Sequence, residues 1–186
     1  MPRNMERINQ NCSKHFTYKD LIICSETVKS QNIANQPIQD ESWNCLADLA
    51  RALLDPIYEE FGVIELTYGF CSHLLSKTIK QNIYPSLDQH SSMEKNSKGN
   101  LICHRGGAAV DFKVKKADSS ELARWIVARL EFDRLYYYGQ SRPIHISYKR
   151  DPLGAIVLMR TTSTSRKRIP KNITKQEFLG LDAIGF

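Results

Sequence analysis

The sequence has no apolar run approaching the roughly 18 residues that a membrane span requires, and its polar start, MPRNMERINQNCSKH, has no apolar core of a signal peptide. A cytoplasmic protein with no membrane partner is therefore expected. Five cysteines, Cys12, Cys24, Cys45, Cys71 and Cys103, make an odd number with no C-x-x-C spacing. That pattern argues against a disulfide framework or a four-cysteine zinc site, so reduced thiols are expected. Acidic residues are missing altogether between Arg160 and Lys175, where six bases stand: Arg160, Arg166, Lys167, Arg168, Lys171 and Lys175.

What is present is the make-up of an ordinary globular protein. The 186 residues are 41% hydrophobic and 25% charged, enough for one domain with a sizeable core. The formal net charge is +6, and the 160–175 stretch alone equals the whole excess. Such a run can attract phosphates through charge neutralisation, with Arg166, Lys167 and Arg168 as the candidate nucleic-acid contacts; it can equally be a solvated surface.

Thr17 precedes a short apolar run and reads as the N-cap of a small helix. Residues 30–40 (SQNIANQPIQD) have no periodicity and read as an irregular connection. From Glu41 the spacing of Trp43, Leu46, Leu49, Ala50, Leu53, Leu54 and Ile57 is the stripe of an amphipathic helix, kinked at Pro56 and ended by Gly62. Residues 63–68 have strand propensity, 72–79 suit a short helix, and 81–100 form a polar excursion with one helical turn after Asp88. Ala108 to Val114 reads as a strand and Ser119 opens a helix carrying Leu122, Trp125, Ile126 and Leu130. Strands follow at 133–138, 143–149 and 155–160. The whole predicts an α+β domain with a mostly antiparallel sheet, helices on one face and the other face available for a site.

The chemistry-bearing residues are His104-Arg105-Gly106-Gly107-Ala108-Ala109-Val110-Asp111, an H-x-x-G-x-A-x-D pattern, followed by His145 within Pro143-Ile144-His145-Ile146. Strand alternation puts Ala109, Asp111 and Lys113 on one face and sets Ile144 and Ile146 opposite to His145. A carboxylate on an otherwise apolar strand is paired, metal-bound or solvated; a lone strand histidine is more often a packing residue than a ligand.

This pattern resembles the D-Ala-D-Ala carboxypeptidase/hedgehog superfamily of zinc proteins. HFTYKDL at 15–21, the N-I-x-N-x-P stretch from Asn32 to Pro37, Leu54-Asp55-Pro56 and Leu66-Thr67-Tyr68-Gly69-Phe70 look like landmarks of that family in order, so the likeness covers residues 15–149. It implies a hedgehog/peptidase-like fold in which His104, Asp111 and His145 bind one zinc ion. Two imidazoles and one carboxylate leave the fourth tetrahedral position open, as in catalytic rather than structural zinc sites. Residues 1–159 then form the zinc domain, and 160–186 a basic extension packed on or trailing from it.

Three departures bear on function. Asp88-Gln89-His90 resembles the S-Q-H context of the family's first histidine, so His90 and His104 compete for that position. The glutamate that family peptidases place just before the last histidine is replaced by Arg142 or Pro143, and arginine cannot serve as a base; Glu94, Glu131 and Asp133 are the candidate substitutes. The arginine of the family's G-Y-R-S segment is Cys71 here, and a thiol cannot hold a carboxylate bidentately. The resemblance thus implies a zinc-dependent hydrolase of an amide or peptide bond. The departures leave open a degenerate member that binds nucleic acid or a protein partner. Tyr136-Tyr137-Tyr138 suits sheet packing better than base stacking, and Cys71 and Cys103 read as small buried hydrophobes.

Overall fold

In the computed structural model the described residues are 6–23, 25–31, 33–79, 84–162 and 165–181, with the side chains of 162 and 165–167 outside the description. The first half is helical. α1 (Tyr18–Ile22) opens with a capping box: the Thr17 side chain accepts from the Asp20 N–H while the Asp20 carboxylate accepts from the Thr17 N–H. α2 (Glu26–Gln31) takes the first two residues of the stretch read as irregular. The rest, 33–37, carries no regular hydrogen bonds and is held instead by Asn35. Its buried amide donates to the carbonyls of Ile22 and Phe70 at 2.8 and 2.7 Å and accepts from the Ser72 N–H at 2.7 Å.

The long amphipathic stretch runs as α3 (Asp40–Leu49), a π-helical segment (Ala50–Leu54) and α4 (Asp55–Phe61), and Gly62 ends it at φ +76°. Pro56 has no N–H and its ring crowds the carbonyl four residues earlier. The π turn widens the helix just before it, so that the Asp55 N–H reaches back to Ala50 O. Glu94 caps α3 from outside: its buried Oε1 accepts from the Ile38 and Gln39 N–H groups and from Ser42 Oγ, at 3.0, 3.1 and 2.8 Å. Asp55 similarly pins residues 13–15, accepting from Ser13 Oγ and the N–H groups of Lys14 and His15.

The remaining elements are β1 (Ile64–Tyr68), α5 (His73–Thr78), a 3-10 turn (Gln89–Ser91), β2 (Ala108–Val114), α6 (Ser119–Arg129), β3 (Arg134–Tyr137), β4 (Ile144–Tyr148), β5 (Ala155–Thr162), β6 (Ser165–Ile173) and α7 (Lys175–Gly180). The strands form one six-stranded sheet in the order β1-β2-β4-β3-β5-β6, antiparallel at every pairing except β3 with β5. The fold is α+β with a mixed, mostly antiparallel sheet. The division expected between 159 and 160 falls inside β5, and residues 165–173 are its antiparallel partner. Residues 160–162 and 165–173 thus pair within the sheet, and Phe178 of α7 is fully buried against Tyr137.

One face of the sheet makes the core. Val110, Phe112, Leu135, Tyr137, Ile144, Ile146, Ile156 and Leu158 meet Trp43, Leu46, Leu49, Leu53, Leu122 and Ile126 from the helices. Burying each large apolar side chain contributes about 1.5–3 kcal/mol, which makes this face the main source of stability. The opposite face carries Ala109, Asp111, Arg134, Tyr136, His145 and Ser147, as the pairing register requires. No helix among the described residues is long and apolar enough to cross a membrane.

Candidate metal centre

A single row across the sheet builds the site. Tyr68 lies opposite Asp111, Asp111 opposite His145, and His145 opposite Tyr136. Directly paired residues share a face, so all four side chains rise on the side away from the helices. A register shift in β1 between Leu66 and Tyr68 puts Tyr68 into this row, and the displaced Thr67 donates its hydroxyl to Asp111 O. His145 Nδ1 is 2.8 Å from Asp111 Oδ1.

The third member comes from above the sheet. The 3-10 turn sets His90 over the row, with Nε2 3.4 Å from Asp111 Oδ1, and candidate ligand atoms of His90, Asp111 and His145 all lie within 4.8 Å of one another. The other ring nitrogen of His90, Nδ1, donates to Gly69 O at 2.8 Å. That bond turns Nε2 toward the carboxylate, and with the Nε2 proton displaced by a metal this is the second-shell arrangement of metal-binding histidines. The rings of Tyr68 and Tyr136 stand edge-on to His90 and His145, at centroid distances of 4.6 and 5.0 Å.

The loop carrying His90 is tied down by neutral hydrogen bonds. Gln89 donates to Gly106 O and accepts from Ser147 Oγ, each at 2.8 Å, and Ser92 Oγ donates to Gly107 O at 2.7 Å. The Cys71 N–H donates to His90 O at 2.9 Å. Gly107 has φ +80°, and a Cβ there would collide with the Tyr148 carbonyl oxygen. The glycine of the H-x-x-G-x-A-x-D pattern is thus required by a close backbone approach beside the site.

His90 and His145 are 4% and 5% exposed, whereas the Asp111 side chain keeps 30%, so a ligand can reach the cluster from the carboxylate side. Burial works to raise the Asp111 pKa, but the charge of His90 and the hydrogen bonds from His145 and His90 hold it far below the usual carboxylate range. Burial works to lower the pKa of His90, and the Asp111 carboxylate and the Gly69 carbonyl outweigh it, leaving the ring above its ordinary value.

His104 is exposed and stands outside this cluster. Gly106 and Gly107, both at positive φ, redirect the chain between it and β2. Neither residue before His145 supplies an acid: Arg142 is exposed in a turn, where its carbonyl accepts from Ser119 Oγ. Of the three substitute carboxylates, Glu94 is occupied at the start of α3, Glu131 is exposed beside the 150–154 loop, and the buried Asp133 pairs with Lys149 and accepts from the Leu153 N–H. Cys71 is fully buried, and burial pushes its thiol up to about 11, so the thiolate needed for nucleophilic attack is scarce at neutral pH. Burial likewise raises Cys103.

Several groups here were not singled out by sequence reasoning. The Tyr68 hydroxyl is buried with no partner of hydrogen-bond geometry, only the neighbouring Cys71 thiol, and burial raises its pKa so that it stays a donor. Asp88 Oδ1 is also buried without a partner, while its Oδ2 accepts from the Tyr84 N–H. Arg105 bonds the Tyr136 hydroxyl. The alternation of β3 was the available signal for Tyr136; the register shift in β1 hides Tyr68 from the same reading, and none pointed to Arg105. In β6, Arg168 lies 5.0 Å from the Tyr138 ring centroid, and the side chains of Arg166 and Lys167 lie outside the described residues. Compared with known proteins, the chain matches no family model, no curated protein and no solved structure.

Proposed function

We propose that this chain is a zinc-binding protein of the D-Ala-D-Ala carboxypeptidase/hedgehog type, a metal-dependent hydrolase of an amide or peptide bond whose ligands are His90, Asp111 and His145. The observation that carries this reading is the convergence of two imidazole nitrogens and one carboxylate oxygen on the face of the sheet away from the helices. Bonds of about 2.0–2.2 Å at tetrahedral angles separate ligand atoms by about 3.3–3.6 Å. The 3.4 Å between His90 and Asp111 fits as it stands, and the 2.8 Å between His145 and Asp111 needs a small opening once their shared proton leaves. A two-histidine, one-carboxylate set also keeps a fourth position for a ligand.

Zinc held there supplies Lewis acidity toward a carbonyl oxygen and lowers the pKa of water. The protein's part is to orient and to neutralise. Gly69 O orients the His90 ring, Asp111 offsets cationic charge, the His90 and His145 rings exclude water on the buried side, and the Tyr68 ring backs His90 edge-on.

Elemental analysis of protein purified without chelator is expected to find about one zinc per chain. Less than about a tenth of an equivalent, unrestored by added metal, overturns the reading. His90→Ala, Asp111→Ala and His145→Ala are each expected to weaken zinc more than about a hundredfold, while His104→Ala leaves it unchanged.

A second reading is favoured by Arg142 and Pro143, which put no acid at the positions just ahead of His145 in the chain: a member that keeps its metal but serves as a binding module for nucleic acid or a protein. Arg168 over Tyr138 supports it, since a cation beside an aromatic face suits a nucleotide. Zinc-loaded protein that releases no amine from N-acylated dipeptides, yet gives a salt-dependent gel shift lost on replacing Arg166, Lys167 and Arg168, favours this reading over hydrolysis.

A further inference from the structure

Arg105 occupies an unusual place beside the site. One of its terminal nitrogens, Nη1, makes both of its hydrogen bonds, to Leu87 O at 2.5 Å and to the Tyr136 hydroxyl at 3.0 Å. The Tyr136 ring in turn stands edge-on to His145. The guanidinium is therefore fixed at the rim of the cluster, not waving in solvent. Its chain position is equally fixed, because the next two residues carry the Gln89 and Ser92 bonds that hold the His90 loop.

Two facts make this arginine more than a packing residue. Among the described residues no carboxylate lies within ion-pair distance of it; Asp88, one residue from Leu87, turns its Oδ2 to the Tyr84 N–H instead. Its Nε and Nη2 carry no hydrogen bond among the described residues and do not belong to the buried unpartnered atoms, so solvent reaches them. Nε and Nη2 form one edge of the guanidinium, the fork whose spacing matches the two oxygens of a carboxylate. A phosphate calls for further cations or a nest of backbone N–H groups, and Arg168 is placed over the Tyr138 ring.

We propose that Arg105, oriented by Tyr136 and Leu87, is the carboxylate-binding residue of the site, so that the ligand joins a metal-coordinating group to a carboxylate held on the His145 side. This rests on the metal reading above and adds to it the class of molecule the site takes. It also places the carboxylate away from Cys71, which is buried and uncharged.

The test uses the full chain loaded with cobalt(II), whose thiolate charge-transfer absorption reports ligand binding at the metal. Mercaptocarboxylates of increasing methylene number are titrated beside mercaptoalcohols of matched length. One length is expected to bind about tenfold or more tighter as the carboxylate than as the alcohol, since a charge-assisted fork is the difference between them. Arg105→Ala is expected to abolish that preference and leave the alcohol's affinity unchanged; Arg105→Gln, which keeps a donor for Leu87 O, serves if the alanine variant folds poorly. Cobalt uptake with no carboxylate preference at any length, or a preference surviving in both variants, overturns the assignment of Arg105 alone. A mercaptophosphonate that outbinds its matched carboxylate overturns the choice of anion. Failure to take up cobalt overturns both this inference and the metal reading beneath it.

Discussion

The two faces of the sheet are made of the same six strands and do opposite work. On the helix side, side chains such as Phe112, Leu135 and Ile146 are fully buried among Trp43, Leu49 and Ile126, and shape is the only requirement. On the other side, Asp111, His145 and Tyr136 are covered by the loop around His90, which is attached through Gln89, Ser92 and the backbone of Gly106 and Gly107. Apolar packing is nondirectional, whereas these hydrogen bonds fix atoms to within a few tenths of an ångström. The division lets one face carry stability while the other holds a polar cluster in place.

If the faces are separable, damage to one should spare the other. Trp43→Ala on the helix side is expected to cost about 3–5 kcal/mol in chemical denaturation, because Trp43 is 1% exposed and packs edge-on to Tyr18 at 4.9 Å. The fraction that stays folded should bind zinc with unchanged affinity, and a parallel fall in affinity would break the comparison. Gly107→Ala tests the seam between the faces. Positive φ and the Tyr148 carbonyl together should cost about 1–3 kcal/mol and also lower zinc affinity, measured by competition with a chelating dye. Gln89→Ala touches the site side alone and should weaken zinc about tenfold with a smaller change in melting temperature. The smallest effect belongs to Asp118→Ala, which removes the N-cap of α6. About 1 kcal/mol of stability is expected to go, with zinc titrations superimposable on the unaltered protein.

Periodicity made the helix-side face readable in advance: the stripe from Trp43 to Ile57 and the strands at 108–114 and 143–149 have the spacing that burial imposes. Asp111 and His145 were readable on the other face because alternation sets each apart from its apolar neighbours. The choice between His90 and His104 was not. Spacing along the chain favours His104, and only the fold of residues 84–107, held by contacts with Ser147 and Gly69, delivers His90 instead. Arg105 escaped for the same reason, as did the place of 165–173 in the sheet. A basic, polar strand has no apolar alternation to mark it, and its pairing with β5 is set by backbone hydrogen bonds that any side chain permits.

The row of Tyr68, Asp111, His145 and Tyr136 joins distant stretches of chain. Asp111 and His145 are 34 positions apart, Thr67 and Asp111 44, and Gln89 and Ser147 58. These three contacts each close a long loop, whereas Tyr136 and His145 are joined by a short hairpin, so the entropy of closure must be met before any ion finds three donors together. An ion that recognises only the finished row stabilises the native state by mass action, about 2.7 kcal/mol at a free concentration a hundred times its Kd. Occupancy of the centre would then act as a latch that closes after the chain has folded, not as the seed around which it folds.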